Sequence, residues 1–465
     1  MTQRYEHWIG GKPVPPARGR YLTSTRPVDG QEVAKIPAGD ASDVATAVAA
    51  AAQAGPGWRA RPPMERGRLL IALGAALRER AEEFIALESA ETGKPDWQAR
   101  LEVEGAAAYC EFYGGLVNIE QGHTLDAGPG THAFTRREPY GVIGVITPWN
   151  SPLNQCVRSA APALAMGNTV VVKPSEFTSA GSLTLARLVG EIGFPEGAFN
   201  VVTGTGEDAG APLAGHPDVR RVSFTGSVRA GRLVGHIAAD KIMPVTLELG
   251  GKAANIVFAD ADLDRAVEGS VLAFAYNTGQ VCSAGTRLLV HESVHDRLVE
   301  QLVPRVREFG VRLGPLTTAD QYEKVCRYFD IAKEDGATLA TGGTGLGDNR
   351  VEPTVYTQVR GDMRIAREEI FGPVLSVLSF RSEDEAIRLA NATDYGLSAG
   401  VWTRDISRAL RVAERLEAGQ VYVNAWRSSL IETPFGGYKQ SGHGREKGLQ
   451  ALHEYTQLKS VIVTY

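Results

Sequence analysis

Apolar residues recur at two different spacings along the chain, and the change in spacing separates an amino-terminal helical stretch from the rest of the chain. After a short polar arm rich in proline and glycine, the apolar positions follow the helical period. The pattern predicts a first helix capped by Asp40 or Ser42. It also predicts a longer helix over Leu69–Leu87 that stops at Gly93 and Pro95.

From Gly141 onward, apolar runs of strand length alternate with helix-compatible segments. Continuously apolar strands alternating with helices predict a parallel sheet covered on both faces, and therefore an α/β fold. Ligands of such sheets bind at the carboxyl ends of the strands, so we look for functional residues there. The predicted strands are Val142–Thr147, Thr169–Val172, Asn200–Val202, Val219–Phe224 and Val245–Leu249, and the predicted helices are Leu153–Met166, Ser179–Ile192 and Val228–Ala238.

A second α/β unit of similar size comes after the first. The chain then ends in an apolar strand, Leu458–Val463, which needs a strand edge to pair with, and a partner subunit is one candidate for that edge. The predicted elements of the second unit are the strands Asn255–Phe258, Thr286–Val290, Val374–Phe380, Ser398–Trp402 and Gln420–Asn424, with helices over Val294–Phe309 and Ile406–Leu416.

Length and charge limit the classes of function. A chain of 465 residues is too long for one hydrophobic core, so two or three packed units are expected. A net charge of -5 without basic runs argues against nucleic acid or an anionic membrane as a partner. Since the chain has no apolar leader and no run of about 18 apolar residues, we expect no membrane span and a cytoplasmic protein.

Four scattered cysteines do not form a disulfide framework, and no CxxC or HExxH pattern supports a zinc site. A lone cysteine is most often a small buried hydrophobe. Cys282 has a different context, because Gly279 and Gly285 bracket it and Gln280 and Ser283 surround it with polar groups. Glycines let backbone and ligand approach closely and expose N–H groups for an oxyanion, so a thiolate at Cys282 is a candidate nucleophile if its pKa is lowered.

Polar residues also come directly after the predicted strands of the first unit. Glu248 ends a strand and precedes two glycines, so it is either a solvated strand end or a general base in a cleft. Asn150 either caps the next helix or donates its amide to an oxyanion. Lys173 and Glu176 either form a surface turn or bind the hydroxyls of a ribose.

Glycine-rich segments supply the remaining candidates. One cluster, Gly204–Gly206, and a second, Phe224–Gly231, each come after a strand, but neither matches GxGxxG. The second cluster opens a helix whose amino terminus, with Ser227, suits a diphosphate. Taken alone, Glu369–Gly372 is a turn before a strand, and Pro434–Gly442 is a glycine-rich loop without a specific chemical signal.

Taken together, these motifs resemble the aldehyde dehydrogenase superfamily, of the NAD(P)-dependent hydrolytic type, over nearly the whole chain. The motifs that carry the resemblance are TPWN (147–150), KPSE (173–176), FTGS (224–227), ELGGK (248–252, counted with Leu247 before it), GQVCSAGTR (279–287), EEIFGP (368–373) and PFGGYKQSG (434–442). The fold that the resemblance implies is a modified Rossmann NAD-binding domain (1–116 and 139–250), an α/β catalytic domain (251–449) and a small oligomerisation arm (117–138 and 450–465). It also implies a homodimer or a homotetramer.

The resemblance assigns roles to individual residues. Cys282 resembles the nucleophile, Asn150 and the Cys282 N–H the oxyanion hole, and Glu248 the base that activates the hydrolytic water. NAD is the implied cofactor, and it is favoured over NADP because Glu176 would repel a 2′-phosphate. The residues implied to bind NAD are Trp149, Lys173, Ser175, Glu176, Gly226, Ser227, Gly250, Glu369 and Phe371, and no metal is implied.

The implied reaction is the oxidation of an aldehyde to a carboxylic acid through a thiohemiacetal and a thioester on Cys282. A CoA-acylating aldehyde dehydrogenase has less need of Glu248. A cysteine hydrolase needs a histidine partner, and no recognisable histidine motif lies near Cys282. A structural, crystallin-like protein on this scaffold would tolerate the loss of Cys282 and Glu248, yet both are present.

One helix departs from the pattern of most of the family. The lysine usual nine residues after the Asn of TPWN is Ser159 here, and Arg158 precedes it, as in succinate-semialdehyde-type enzymes. With Gln155, Arg427 and Ser429, Arg158 predicts a polar or anionic, semialdehyde-like substrate. A structural salt bridge at either arginine is the alternative interpretation. An aromatic aldehyde remains a second hypothesis, supported by Trp426 and Tyr438.

Overall fold

Two large sheets, each covered by helices, two three-stranded sheets and two short strand pairs organise the described residues. The computed structural model describes residues 3–119, 122–426 and 430–465. The sequence-based prediction of a mixed α/β fold is confirmed. Among the described residues, no helix combines the length and the apolar character that crossing a bilayer requires.

The amino-terminal arm, which the sequence pattern left without structure, forms short strands. Two of them, His7–Ile9 and Lys12–Val14, extend the edge of the first large sheet in antiparallel orientation. Strands of two to six residues are too short for a clear alternation of apolar and polar positions, which explains why the pattern missed them. The other strands of this arm are Gln3–Arg4, Tyr21–Thr25 and Glu32–Pro37.

The first predicted helix spans Ala41–Ala60, and Asp40 caps it by accepting from the N–H of Ser42 at 2.8 Å. The predicted long helix is instead two helices, Pro63–Glu79 and Ala81–Thr92, because the backbone at Arg80 leaves the helical conformation. Both helices bury their apolar residues in the same core cluster, so the apolar period continues across the break. Gly93 ends the second helix at φ 77°, and an unpredicted helix, Asp96–Gly115, packs against the first of the pair.

The first large sheet has five parallel strands at its centre, and each begins and ends within two residues of its prediction. In spatial order they are Val245–Glu248, Val219–Thr225, Val142–Ile146, Thr169–Lys173 and Phe199–Val201. The late segment Gly442–His443 pairs antiparallel with the first of them and closes that edge. The helices of this unit are Pro152–Ala165, Ala180–Ile192, Ala211–Gly215 and Val228–Asp240, with a π-helical turn at Gly206–Gly210.

The second large sheet contains seven strands, and the five predicted ones are parallel neighbours in it. In spatial order the strands are Thr338–Thr341, Thr354–Thr357, Val374–Phe380, Arg287–His291, Ala254–Val257, Ser398–Trp402 and Gln420–Val423. Its helices are Leu263–Ala275, His295–Gly310, Ala319–Glu334, Arg364–Arg367, Glu383–Asn391 and Ile406–Arg415. Short pairs of strands join Gly345–Gly347 to Arg350–Val351, and Tyr395–Gly396 to Tyr438–Lys439.

The terminal strand, Thr456–Thr464, comes after a short helix, Gln450–Glu454, and finds its edge within its own chain. It pairs antiparallel with Thr131–Pro139 over its whole length, and Thr124–Asp126 pairs with the other side of that strand. A partner subunit is therefore not needed to supply this edge. The strand leaves Leu458 and Ile462 largely exposed, and assembly through this arm stays a prediction.

Candidate active site

The carboxyl ends of four neighbouring strands of the first sheet carry most of the predicted functional residues. Glu248 ends one strand, Gly226 and Ser227 come after the next, Asn150 comes after the third, and Lys173 ends the fourth. Because parallel strands end at the same edge, side chains that are up to about a hundred residues apart in sequence line one edge of the sheet.

A cavity of about 670 Å³ lies at this edge, between the two large sheets. It brings together the proposed nucleophile, the proposed base and six of the proposed cofactor residues. The predicted residues that line it are Trp149, Asn150, Gln155, Gly226, Ser227, Glu248, Gly250, Cys282, Glu369 and Phe371, and its other wall residues include Gln321 and Lys324.

A second cavity, of about 1610 Å³, meets the first at Cys282. Asn150, Gln155 and Cys282 line both cavities. The larger cavity also contains Arg158 and a set of aromatic side chains: Trp97, Tyr109, Tyr276, Tyr422 and Phe435. The thiol is therefore reached from two sides. One is lined by the nucleotide-type motifs, and the other is lined by aromatic and apolar groups together with polar and charged ones, among them Glu102, Glu104 and Lys447.

The segment before Cys282 is held in an unusual backbone conformation. Asn277 and Thr278 both have φ near +50°, which side-chain-bearing residues seldom adopt. Gly279, at φ 71°, passes so close to Gly372 that a Cβ would lie 2.2 Å from its carbonyl carbon. Hydrogen bonds fix the turn, since Gln280 donates its amide to the Asn277 carbonyl and accepts from the Thr317 N–H. The glycine expected for close approach is required here.

The thiol of Cys282 differs from the expectation of a lowered pKa. It keeps part of its surface open to the cavities, yet burial raises the pKa of the thiol to about 12. Arg158 counteracts this effect, while the carboxylates of Glu248 and Glu369 add to it. A thiol at neutral pH in this environment is protonated, so a base has to accept its proton during reaction.

Glu248 is buried at the end of its strand, and neither of its carboxylate oxygens has a hydrogen-bond partner among the described residues. Burial raises the pKa of Glu248 well above its ordinary value, and the nearby Glu446 raises it further, while Arg158, Arg445 and Lys447 lower it. A carboxyl group with a raised pKa accepts a proton near neutral pH, which is the property of a general base.

Asn150 is buried and held through both its backbone and its side chain. Its carbonyl accepts from the Lys94 amine and from the Asn277 amide, each at 3.0 Å. Its side-chain amide donates one hydrogen to the Gln280 carbonyl at 2.8 Å, which leaves its second hydrogen for another acceptor. Lys94 itself is paired with Glu88 at 2.9 Å, so a buried ion pair anchors this strand end.

The two glycines after Glu248 let two loops converge on the cavity. The Gly251 N–H donates to Glu369 at 2.9 Å. A Cβ on Gly250 would lie 2.4 Å from the same carboxylate, and a Cβ on Gly251 would lie 2.3 Å from the carbonyl oxygen of Cys282. The close backbone approach predicted for this pair is present, and it places Glu369 beside the nucleophile.

The cofactor candidates fall into two groups. Trp149 and Phe371 meet edge to face across the smaller cavity, with their ring centroids 5.4 Å apart. Gly226 and Ser227 line the same cavity, and Ser227 caps the helix Val228–Asp240 that begins there, so the amino terminus of this helix suits a diphosphate. The residues present therefore fit a dinucleotide.

Lys173, Ser175 and Glu176 do not line that cavity. They lie at the end of the adjacent strand, where the Lys173 amine contacts Glu176 at 3.4 Å. Lys173 and Ser175 are buried, and burial lowers the pKa of Lys173. Their place along the sheet edge is compatible with the distal ribose of a dinucleotide whose other end reaches Cys282.

The predicted substrate residues have mixed outcomes. Gln155 lines both cavities, but Arg427 and Ser429 lie outside the described residues. Arg158 lines the larger cavity and is in a buried ion pair with Glu446, so the structural salt bridge that the sequence left open is present. Trp426 packs under Gly285 and Gly400, and Tyr438 is half exposed elsewhere, so neither lines the larger cavity.

Several functional neighbours were not found from the sequence. Glu446 lies 287 residues from Ser159, to which it is hydrogen-bonded, and no local pattern connects the two. Lys94 was not among the predicted residues, although its place between a left-handed glycine and a proline could have marked it as a fixed residue. No cluster of metal-ligating side chains occurs in the described part of the chain.

Comparisons with known proteins agree with this geometry. The model of the aldehyde dehydrogenase family matches residues 14–461. A betaine aldehyde dehydrogenase of Mesorhizobium japonicum is 45% identical over 98% of this chain and 96% of the relative.

Solved structures agree as well. An NAD-dependent aldehyde dehydrogenase from Sinorhizobium meliloti superposes with a TM-score of 0.97 at 42% identity, covering 100% of this chain and 95% of the other. A betaine aldehyde dehydrogenase from Staphylococcus aureus, solved with NAD+, gives 0.96 at 36% identity, covering 98% and 94%. The chain belongs to the aldehyde dehydrogenase family, and it is an NAD-dependent aldehyde dehydrogenase.

Proposed function

We propose that the protein oxidises an aldehyde to a carboxylic acid through a covalent thioester on Cys282, which Glu248 then helps to hydrolyse. The observation that carries the proposal is the position of Cys282, where a cavity of nucleotide-type residues meets a larger aromatic one. The aldehyde enters from the larger cavity. NAD+ supplies the hydride acceptor when it is bound in the smaller one.

The side chains present account for each proton and each bond in the reaction. The Cys282 sulfur adds to the carbonyl carbon while its proton passes to Glu248, directly or through a water, and a thiohemiacetal forms. After the hydride has left, the carbon is a thioester. Glu248 then releases the Cys282 proton to solvent through the cavity, which is the one proton that the overall reaction yields. The carboxylate, free again, takes a proton from a water that attacks this carbon and passes that proton to the departing sulfur. The C–S bond breaks, the sulfur recovers a proton, and the carboxylic acid leaves.

Asn150 is proposed to donate its free amide hydrogen to the oxyanion of the thiohemiacetal, together with the Cys282 N–H. Replacing Asn150 with Ala should therefore lower kcat by about 10²–10³-fold with a smaller change in the KM for NAD+. Because Lys94 and Asn277 bind the backbone carbonyl of Asn150 rather than its side chain, the strand end should keep its position in this variant. Steady-state rates of NADH formation at saturating NAD+ measure the effect, and an unchanged kcat would remove Asn150 from the mechanism.

For the substrate, we propose a small aldehyde whose body packs on aromatic rings and carries no carboxylate. The charge of Arg158 is already matched by Glu446, and the larger cavity, which reaches Cys282, is lined by five aromatic side chains and by the carboxylates of Glu102 and Glu104. We therefore favour this class of aldehyde over the anionic semialdehyde that the sequence predicted. A quaternary ammonium aldehyde belongs to the favoured class, since aromatic faces attract such cations and a 45% identical relative is named betaine aldehyde dehydrogenase.

A panel of matched aldehydes tests both parts of the proposal. Betaine aldehyde, its uncharged isostere 3,3-dimethylbutanal, phenylacetaldehyde and succinic semialdehyde are compared by kcat/KM from NADH formation, and the acid product is quantified. One molecule of carboxylic acid should form for each molecule of NADH, and addition of CoA should not accelerate turnover. If succinic semialdehyde has the highest kcat/KM, the substrate proposal is wrong. If turnover requires CoA, the proposal that water hydrolyses the thioester is wrong.

A further inference from the structure

A buried polar cluster lies behind Glu248, and the proposed reaction does not use it. The Glu446 cluster, as we name it, consists of Arg158, Ser159, Ser223 and Glu446, and each of the four is at most 5% exposed. Ser159 and Ser223 donate to the same oxygen of Glu446, at 2.9 and 3.1 Å. Arg158 forms an ion pair with its other oxygen. The cluster joins the helix Pro152–Ala165, the central strand Val219–Thr225 and the late loop.

The cluster places two carboxylates close together in a buried region. Glu446 lies near enough to Glu248 to raise its pKa, and neither oxygen of Glu248 has a hydrogen-bond partner among the described residues. Two buried carboxylates repel each other unless a cation lies between or beside them. Arg158 is buried and contacts Glu446, and the strand pair that joins Glu248 to Gly442 brings Glu248 to the same segment of chain. The charge of Arg158 also acts on Glu248 and on Cys282.

The other titratable groups around the cluster do not replace Arg158. Tyr109, from the helix Asp96–Gly115, and Tyr455 are neutral at physiological pH because burial raises the pKa of each. Arg445 and Lys447, beside Glu446 in the late loop, also lower the pKa of Glu248, but Arg158 has the larger effect. Arg445 is otherwise bonded to the carbonyls of Gly437 and Gly444.

We propose that Arg158 is a positioning residue for the hydrolytic step, the counter-charge that lets Glu446 and Glu248 stay ionised in one buried site, rather than a ligand for the substrate. The role rests on the proposed base function of Glu248. It is supported by the ion pair, by the two serines that fix Glu446, and by the unpartnered carboxylate of Glu248.

Two substitutions should move the pH dependence of hydrolysis in opposite directions. Replacing Arg158 with Met removes a cation, so Glu248 should ionise only at higher pH, and the acid limb of the hydrolysis rate should move up by about one pH unit or more. Replacing Glu446 with Gln removes a neighbouring anion, so the limb should move down. The rate is read directly as the decay of the Cys282 thioester, measured by acid quench and intact mass at a series of pH values over which each variant stays folded.

A merely structural role predicts loss of activity in both variants without opposite shifts. In Arg158→Lys the acid limb of the hydrolysis rate should stay at its wild-type pH. In Arg158→Met/Ser159→Lys the limb should return toward the wild-type position, because Ser159 already contacts Glu446 at 2.9 Å. The matched control is Arg221→Met, which removes another buried arginine that pairs with Glu454 and hydrogen-bonds to Thr246. It should lower Tm and leave the limb unmoved.

Each outcome decides the proposal. Limbs that stay in place, or that move the same way in Arg158→Met and Glu446→Gln, overturn it. So does a loss of kcat/KM in Arg158→Met that is confined to carboxylate-bearing aldehydes. If Arg158→Met does not fold, the direction of the shift in Glu446→Gln decides alone. Failure of the proposed function is recognised separately, because wild-type protein would then form no thioester from any aldehyde of the panel.

Discussion

Replacing Cys282 with Ala should abolish aldehyde-dependent NADH formation, with a loss of up to about 10⁶-fold, as is found when the nucleophile of a covalent mechanism is removed. The reason is chemical. Without the sulfur no thiohemiacetal forms, and an aldehyde carbon that carries no alkoxide is a poor hydride donor. The variant should still bind NAD+, because the nucleotide-type residues Trp149, Ser227, Glu369 and Phe371 are unchanged.

The measurement is the initial rate of NADH absorbance with the preferred aldehyde, together with the rise in Tm on addition of NAD+. Cys326→Ala is the matched control, since this cysteine is also partly exposed but lies beside Tyr322 and Gly345, away from both cavities. It should keep full activity. Equal rates in the wild type and in Cys282→Ala would falsify the covalent mechanism.

Replacing Glu248 with Gln should separate the two halves of the reaction. Glu248 assists both the loss of the Cys282 proton and the hydrolysis, whereas hydride transfer from the thiohemiacetal does not need it. We therefore expect a first equivalent of NADH per site that forms more slowly than in the wild type, because water has to accept the thiol proton, followed by still slower turnover, because hydrolysis has lost its base. The loss in kcat should lie between about 10² and 10⁴, the usual contribution of a general base. Intact mass after acid quench should show the acyl group on the protein, and its absence with normal turnover would assign the water-activating role elsewhere.

The pH dependence of this variant provides a second readout. Burial raises the pKa of Glu248 well above its ordinary value, so below that pKa the carboxyl group is protonated and has no capacity to accept a proton from water. Wild-type hydrolysis should therefore fall as the pH falls through this raised pKa. In Glu248→Gln the slow residual hydrolysis should lose that limb, since the titrating group is gone.

Local sequence patterns predicted the parts of the fold that depend on neighbouring residues. The strand Val142–Ile146 is continuously apolar and fully buried because both faces are covered, and this run is visible along the chain. The strand Val374–Phe380 is apolar except at Ser376 and Ser379, and it was visible as well. The helix Asp96–Gly115 was missed, since it buries polar side chains such as Gln98 and Glu102 along with apolar ones. The strands of the amino-terminal arm were missed because each is too short to show a period.

The candidate site likewise contains residues that local motifs marked and contacts that no local motif could show. Glu248, Asn150 and Cys282 lie in glycine-rich or strand-end motifs, so the sequence alone marks them as candidates for the chemistry proposed here. The partner of Arg158 was not, because the ion pair with Glu446 joins positions far apart in sequence, and one isolated arginine can be interpreted equally well as a substrate ligand or as half of a salt bridge. Only the three-dimensional arrangement distinguishes the two.

The meeting of two cavities at one thiol has a consequence for how this enzyme can be altered. The larger cavity, proposed for the aldehyde, and the smaller cavity, proposed for the nucleotide, share three lining residues among those the structure describes: Asn150, Gln155 and Cys282. Two of those three are assigned to the chemistry itself. We therefore expect substitutions at Trp97, Tyr422 or Phe435, which line the larger cavity alone, to change the preference among aldehydes and to leave the affinity for the dinucleotide unchanged. Mutations in this part of the protein should therefore be able to change the preferred aldehyde while NAD+ binding is kept.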